Sequence, residues 1–201
     1  AEWEKRLSTA AGIPLFAAVS QIARERGFQL LPSGPVVYRF QSDASGSDAP
    51  LPGLGGCIGG RGWRYPADAG LSDAELALPA SVLEFAAFFG EVELFGPHVP
   101  DEAVVLAEVD ALTVYGVLSD DHSDSPLMME VYETLLQLPD FLRLQTRMII
   151  RHIFGHANES ADALSRGHLD RFRRLCSSMS MHPSVEPCGS RLPDLMRRLC
   201  H

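Results

Sequence analysis

Four acidic residues occupy positions from which folding would bring their carboxylates together. Asp43 and Asp110 fall at the ends of two stretches typical of strands, and Glu84 and Asp162 lie in stretches with helical character. Helices packed against the sheet that contains both strands would bring the four side chains to one place. Unpaired carboxylates repel one another, and a cation relieves that repulsion. The pattern therefore indicates a site for divalent metal ions, because Mg²⁺ prefers carboxylate oxygen.

Each of these acids also has a purely structural interpretation. An Asp that follows a strand often only caps the next element. Glu84 competes with Glu75 and Glu91, which lie in the same stretch of predicted helix. Asp162 belongs to the longest motif and is the best supported of the four.

The elements that must position these acids begin near residue 36. Four of the residues 36–40 are β-branched or aromatic, and two short strand-like stretches joined by Gly59-Gly60 follow, which predicts a three-stranded antiparallel meander. The apolar run at residues 103–109 is typical of a buried parallel strand. Pro79 predicts that the long helix begins near residue 80. Strands are thus predicted at 36–40, 54–58, 62–65, 103–109 and within 142–154, and helices at 72–95, 113–118, 126–138 and 157–175.

This order predicts a mixed α/β fold with a five-stranded sheet, three antiparallel strands then parallel strands, flanked by helices. Residues 1–35 are predicted to form a helical leader, since apolar residues recur at helical spacing before a Pro/Gly break. The domain itself is expected at residues 36–175. Residues 176–201, rich in Ser, Pro and Cys, are expected to form an extended tail with a helical tip at 192–199.

Charge and composition limit what the chain does alone. It has 17 Lys and Arg residues against 26 Asp and Glu residues, a formal net charge of −9, and Lys5 is its only lysine. Affinity for phosphates comes largely from Lys and Arg, which argues against a strong, autonomous nucleic-acid-binding protein. No apolar run approaches the roughly 20 residues that span a bilayer. The four cysteines form no C-x-x-C pair, which favours reduced thiols in an intracellular compartment over a zinc site.

Residues 151–166, which read RHIFGHANESADALSR, contain the most specific motif of the chain. They resemble the last strand, histidine loop and final helix of ribonuclease H domains in reverse-transcribing retroelements, most closely the DIRS-like, tyrosine-recombinase-type elements. In those domains a strand ends in H-I-x-G, an Asn follows, and the helix carries A-D-x-L-S-R. All of these features occur here in the same order.

Shorter motifs extend the resemblance over residues 36–172. Asp43 stands in a D-A-S sequence before a Gly-rich stretch at 53–56, Glu84 in V-L-E-F, and Asp110 where the family has an Asp after its fourth strand. The sequence departs from the family pattern in the Ala111 that follows Asp110, in a longer loop after Asp43, and in having no Lys/Arg-rich protrusion.

The resemblance implies a ribonuclease H-like fold and an endoribonuclease that cuts the RNA strand of RNA–DNA hybrids with two Mg²⁺ or Mn²⁺ ions. It implies that Asp43 and Asp110 share the metals, that Glu84 holds one and orients the RNA 2′-hydroxyl, and that Asp162 holds the other. His156 stands where the family has its proton-transferring histidine, and an imidazole suits that role. An adjacent reverse transcriptase domain is the expected partner.

A second function remains open on the same residues. A ribonuclease H-like fold that has lost its activity would serve as a structural subunit of a larger assembly, because a fold does not determine a function. The acidic balance and the Pro/Cys-rich tail favour this alternative.

Overall fold

A six-stranded mixed sheet organises the computed structural model, which describes residues 36–201. The strands lie side by side in the order β5-β4-β1-β2-β3-β6. The β1–β2 and β2–β3 pairs are antiparallel, and the β1–β4, β4–β5 and β3–β6 pairs are parallel. The strands are β1 Val37–Ala44, β2 Leu54–Ile58, β3 Arg61–Tyr65, β4 Val104–Val109, β5 Met148–His152 and β6 Ser184–Pro187.

Eight α-helices connect and cover these strands within residues 36–201, and local capping explains where several of them begin. Ser72 and Glu75 form a capping box at the first helix, and Ser125 caps the fourth before Pro126. The helices are α1 Asp73–Leu76, α2 Ala80–Phe95, α3 Leu112–Asp120, α4 Pro126–Leu135, α5 Pro139–Gln145, α6 Glu159–Ser165, α7 Leu169–Ser178 and α8 Arg191–Leu199. Single 3-10 turns lie at Gly96–His98 and Gly155–Ala157.

The two faces of the sheet carry two hydrophobic clusters. The larger cluster packs α2 against β1 and β2, with Phe40, Trp63 and Phe89 fully buried. On the other face, α6 and α7 cover Cys57 with Leu164 and Phe172. Gly55 of β2 allows this close approach, since a Cβ there would lie 2.7 Å from the Ser165 backbone nitrogen. Helix α6 is thereby held close to the end of β1.

The predicted mixed α/β fold is confirmed, with three antiparallel strands preceding the parallel ones and helices covering the sheet. The sheet has six strands where five were predicted. The sixth comes from residues 176–201, which do not form the extended tail that their composition suggested: β6 pairs with β3, and α8 enters the main cluster. Leu192, Leu195, Met196 and Leu199 recur at helical spacing, and burying them orders the segment.

The last predicted helix and the last predicted strand have different bounds. The last helix is divided into α6 and α7 at Gly167, whose positive φ of 73° ends α6. Pro139 starts α5 where residues 142–145 were expected to begin a strand, so β5 is short. The helical leader at residues 1–35 lies outside the described residues. None of the helices in residues 36–201 is long and apolar enough to cross a membrane.

Candidate metal centre

Three of the four predicted acids meet at one place. Carboxylate oxygens of Asp43, Glu84 and Asp110 all lie within 4.8 Å of one another. Asp43 is buried near the end of β1, whereas Glu84 in α2 and Asp110 after β4 are partly exposed. The group is therefore accessible from solvent on one side and embedded in the fold on the other.

The strand register explains why the two aspartates meet. Strands β1 and β4 are parallel neighbours, and Gln41 aligns with Glu108 at the end of their ladder. Asp43 and Asp110 each come two residues later, so they lie side by side at the same end of the two strands. Glu84 is oriented by the first backbone group after Asp43, because the Ala44 N–H donates to Glu84 Oε2 at 3.1 Å.

The electrostatics of this group are unfavourable without a cation. Burial raises the pKa of Asp43 to about 7, and the neighbouring Asp110 and Asp162 add to this, while the Ser165 hydroxyl opposes it. Burial, followed by the charges of Asp43 and Asp110, raises the pKa of Glu84 well above its usual range. Burial also raises the pKa of Asp110. The folded chain thus holds three carboxyl groups where carboxylates alone are costly.

The donor set fits a divalent cation. Across residues 36–201, no arginine forms an ion pair with Asp43, Glu84 or Asp110. Three hard oxygen donors from rigid elements are what Mg²⁺ or Mn²⁺ takes in proteins, and Mg²⁺ completes its coordination with water and substrate oxygens. We expect Asp43, Glu84 and Asp110 to hold such an ion.

Asp162 lies outside this group of three. Its Oδ1 accepts from Arg166 Nε at 2.6 Å and its Oδ2 from Arg171 Nη1 at 2.8 Å. Arg166 also reaches Asp48 at 2.8 Å. Asp162 is close enough to raise the pKa of Asp43 and Asp110, but both of its oxygens are occupied by guanidinium groups. Its role as a metal ligand stays a prediction.

His156 lies in the 3-10 turn that follows β5, and it is exposed. Its ring is parallel to that of Phe154, with centroids 5.9 Å apart and an interplanar angle of 6°. His152, the last residue of β5, has its Nε2 3.1 Å from the Asp110 carbonyl oxygen, and a Cβ built on Gly155 of the turn would lie 3.7 Å from Asp110 Oδ2. The loop is adjacent to the carboxylates, and proton transfer by His156 stays a prediction.

Two buried polar residues next to the site interact with its aspartates. Ser165 is fully buried, and its hydroxyl donates to Asp43 Oδ2. Asn158 is also fully buried; its Nδ2 donates to the Ser42 carbonyl at 2.8 Å, and the amide lowers the pKa of Asp110 against the effect of burial. Both stand in the motif of residues 151–166, which was the signal available for finding them.

The two competitors of Glu84 are structural. Glu75 completes the cap of α1 and accepts from the Tyr65 hydroxyl at 2.7 Å. Glu91 is fully buried two turns after Glu84, where it accepts from Trp63 Nε1 at 2.5 Å. Neither belongs to the group of three carboxylates.

Comparison with known proteins gives structural similarities only. No family model and no curated protein matches the sequence. The chain is similar to ribonuclease H1 of the halophilic archaeon Halobacterium salinarum NRC-1, with 19% identity over 68% of this chain and 98% of that one and a TM-score of 0.44.

Two further structures are similar in the same way. The N-terminal ribonuclease H domain of a Mycobacterium tuberculosis protein, solved as a fusion with maltose binding protein, has 16% identity, covers 72% of this chain and 99% of its own, and has a TM-score of 0.47. Ribonuclease H1 LC11, isolated from compost by a metagenomic approach, has 14% identity, covers 68% and 99%, and has a TM-score of 0.44. At these values the similarities assign no activity to this chain.

Proposed function

We propose that this chain is a divalent-metal-dependent ribonuclease of the ribonuclease H type, which hydrolyses the RNA strand of RNA–DNA hybrids. The observation that supports it is the group formed by Asp43, Glu84 and Asp110, with which no arginine among residues 36–201 forms an ion pair. Three acids held together at this cost need a compensating function, and binding a cation supplies one.

The proposal assigns a chemical role to each residue of the site. Asp43 and Asp110, from parallel neighbouring strands, supply oxygen donors on a rigid frame, and Ser165 orients Asp43. Glu84 completes the set from α2, oriented by the Ala44 N–H. Bound divalent ions would lower the pKa of the attacking water and offset the charge that develops on the phosphate. His156, exposed in the adjacent loop, is the candidate for giving a proton to the departing 3′-oxygen.

The substrate and the setting rest on the motif of residues 151–166. Its resemblance to retroelement ribonuclease H domains supports an RNA–DNA hybrid as the substrate and an adjacent reverse transcriptase as the partner. The formal net charge of −9 agrees with such a partner, because a neighbouring basic domain would supply the phosphate contacts that this chain lacks.

A structural, inactive subunit is the second candidate function. The observation that favours it is Asp162, whose two oxygens are held by Arg166 and Arg171 rather than left free. If those pairs persist when substrate binds, the site has three ligands where the family resemblance implies four.

A cleavage assay separates the two candidates. A labelled RNA–DNA hybrid is incubated with the protein and Mg²⁺ or Mn²⁺, alongside Asp43→Asn and Asp110→Asn. Asp101→Asn is the matched control, since Asp101 is 81% exposed and precedes β4 at the end opposite Asp110. Metal-dependent cleavage that the two site variants lose and the control keeps supports the ribonuclease; a folded wild-type protein that cleaves under no condition supports the structural subunit.

A further inference from the structure

Phe154 is the most exposed of the large hydrophobic residues in the described part of the chain, at 71% of its surface. It directly follows Ile153 at the end of β5 and precedes the 3-10 turn at Gly155–Ala157. Its ring lies between two histidines, edge-on to His152 at 6.0 Å and parallel to His156 at 5.9 Å. With these two ring contacts, Phe154 still exposes most of its surface to solvent.

The residues on either side of Phe154 lie beside the metal centre. The next residue, Gly155, is so close to Asp110 that a Cβ built on it would lie 3.7 Å from Asp110 Oδ2. On the other side, His152 reaches the Asp110 carbonyl at 3.1 Å. A ligand phosphate held at the carboxylates would therefore place its adjoining nucleoside next to Phe154.

The exposed aromatic ring of Phe154 would bind nucleobases and not the phosphate backbone. It cannot bind phosphate, but it stacks on nucleobases, and such stacking tolerates any base. Bases inside a continuous duplex already stack on their neighbours, so their faces are not available. A base at an end, a junction or a single-stranded extension is available.

From this arrangement we infer that Phe154, with His156 stacked beside it, is a binding platform for an unpaired nucleobase next to the bond that is cut. The inference rests on the proposed nuclease function and narrows its substrate to hybrids with a frayed end or a junction near the scissile phosphate. Stacking also suits an acidic chain with a single lysine, because it adds affinity without adding positive charge.

The kinetic test compares two hybrids of one sequence, one continuous and one with an unpaired nucleotide beside the cleavage position. The wild-type protein is expected to have the higher kcat/KM on the second. Phe154→Ala should lower the ratio between the two substrates by about 5- to 150-fold, mainly through KM, and Phe154→Trp should restore it. An unchanged ratio in Phe154→Ala, or no rescue by Trp, would overturn the inference.

A binding test separates this inference from the nuclease proposal. Fluorescence of Phe154→Trp is titrated with a short single-stranded oligonucleotide and with a blunt duplex, without divalent metal. Leu142→Trp is the matched control, because Leu142 is 51% exposed on α5. Quenching at position 154 by the single strand alone supports the platform even if no cleavage occurs. Equal quenching at both positions, or none, contradicts it.

Discussion

Two acidic regions lie only two residues apart at the end of β4, and they differ in their counter-charges. Glu108 has a fully buried side chain, and it accepts from Arg39 and Arg151 and, at 3.0 Å, from Gln41 Nε2. The metal centre, which includes Asp110, has three acids and no arginine partner among residues 36–201. Buried negative charge alone therefore does not indicate a functional site, because arginines can neutralise it; clustered carboxyl groups without an arginine partner are the better indication of one.

The largest effect is expected at the metal centre. Asp110→Asn removes one oxygen donor and one negative charge from the group, so hybrid cleavage at saturating Mg²⁺ should fall by more than about 100-fold. Initial rates on a labelled hybrid measure this. If Asp110→Asn kept most of its activity, Asp110 would not be a metal ligand, and the proposed difference between Asp110 and Glu108 would be wrong.

The fold was predictable to the extent that its signals are local. Strand β4 is a continuous apolar run, and α2 begins after Pro79 as its sequence indicates. The helical tip predicted at residues 192–199 corresponds to α8, but the Ser, Pro and Cys around it obscured the burial of its four apolar residues in the main cluster. The division of α6 from α7 depends on the positive φ of Gly167, which a helical pattern does not reveal.

The sequence predicted those parts of the candidate site that depend on where a strand ends. It did not predict the ion pairs between side chains. The ends of β1 and β4 carried Asp43 and Asp110 to one edge, as their sequence positions indicated. The two guanidinium groups on Asp162 were not anticipated. Arg166 lies one helical turn after it, but Arg171 reaches it only because the chain turns at Gly167.

A divalent metal ion should stabilise the fold by binding at the metal centre and not at Glu108. Mg²⁺ at about 100 times its dissociation constant is expected to add about 2.7 kcal/mol to the free energy of unfolding, because it binds the folded site and not the unfolded chain. Thermal melts with Mg²⁺ and with EDTA measure the shift. Asp43→Asn should abolish the shift and Glu108→Gln should retain it. The reverse result would mean that the metal binds at Glu108 and not at the group of three carboxylates.

Glu108→Gln should destabilise the protein by about 2 kcal/mol, since it removes a buried acceptor of several charged hydrogen bonds. Denaturant unfolding gives this value. Glu186→Gln is a suitable control, because Glu186 pairs with Arg61 near the surface and its loss should cost less than about 1 kcal/mol. Equal losses in both variants would mean that burial of Glu108 adds nothing.

The pH dependence of protein stability should distinguish the metal centre from Glu108. The pKa of Asp43 is raised from 3.8 to about 7 by burial, so its stabilising contribution without metal is complete below about pH 4 and is lost as pH rises through 7. The stability of the wild type relative to Asp43→Asn should therefore decrease between pH 4 and 8 in EDTA. A relative stability that increases over this range would contradict the raised pKa.

The smallest effect is expected from the arginines on Asp162. Arg171→Gln should increase the affinity for Mn²⁺ by about 2- to 5-fold, because one positive charge near the site is removed and solvent screens the rest. Calorimetric titration measures it, with Arg173→Gln as the control on the same helix. Weaker Mn²⁺ binding in Arg171→Gln would instead make Arg171 a residue that positions the site.

The most direct measurement is an anomalous difference map from crystals soaked in MnCl₂. We expect a strong peak bounded by the carboxylates of Asp43, Glu84 and Asp110, and no peak at Glu108. Absence of a peak among the three carboxylates at saturating Mn²⁺, or a peak elsewhere on the chain only, would contradict it.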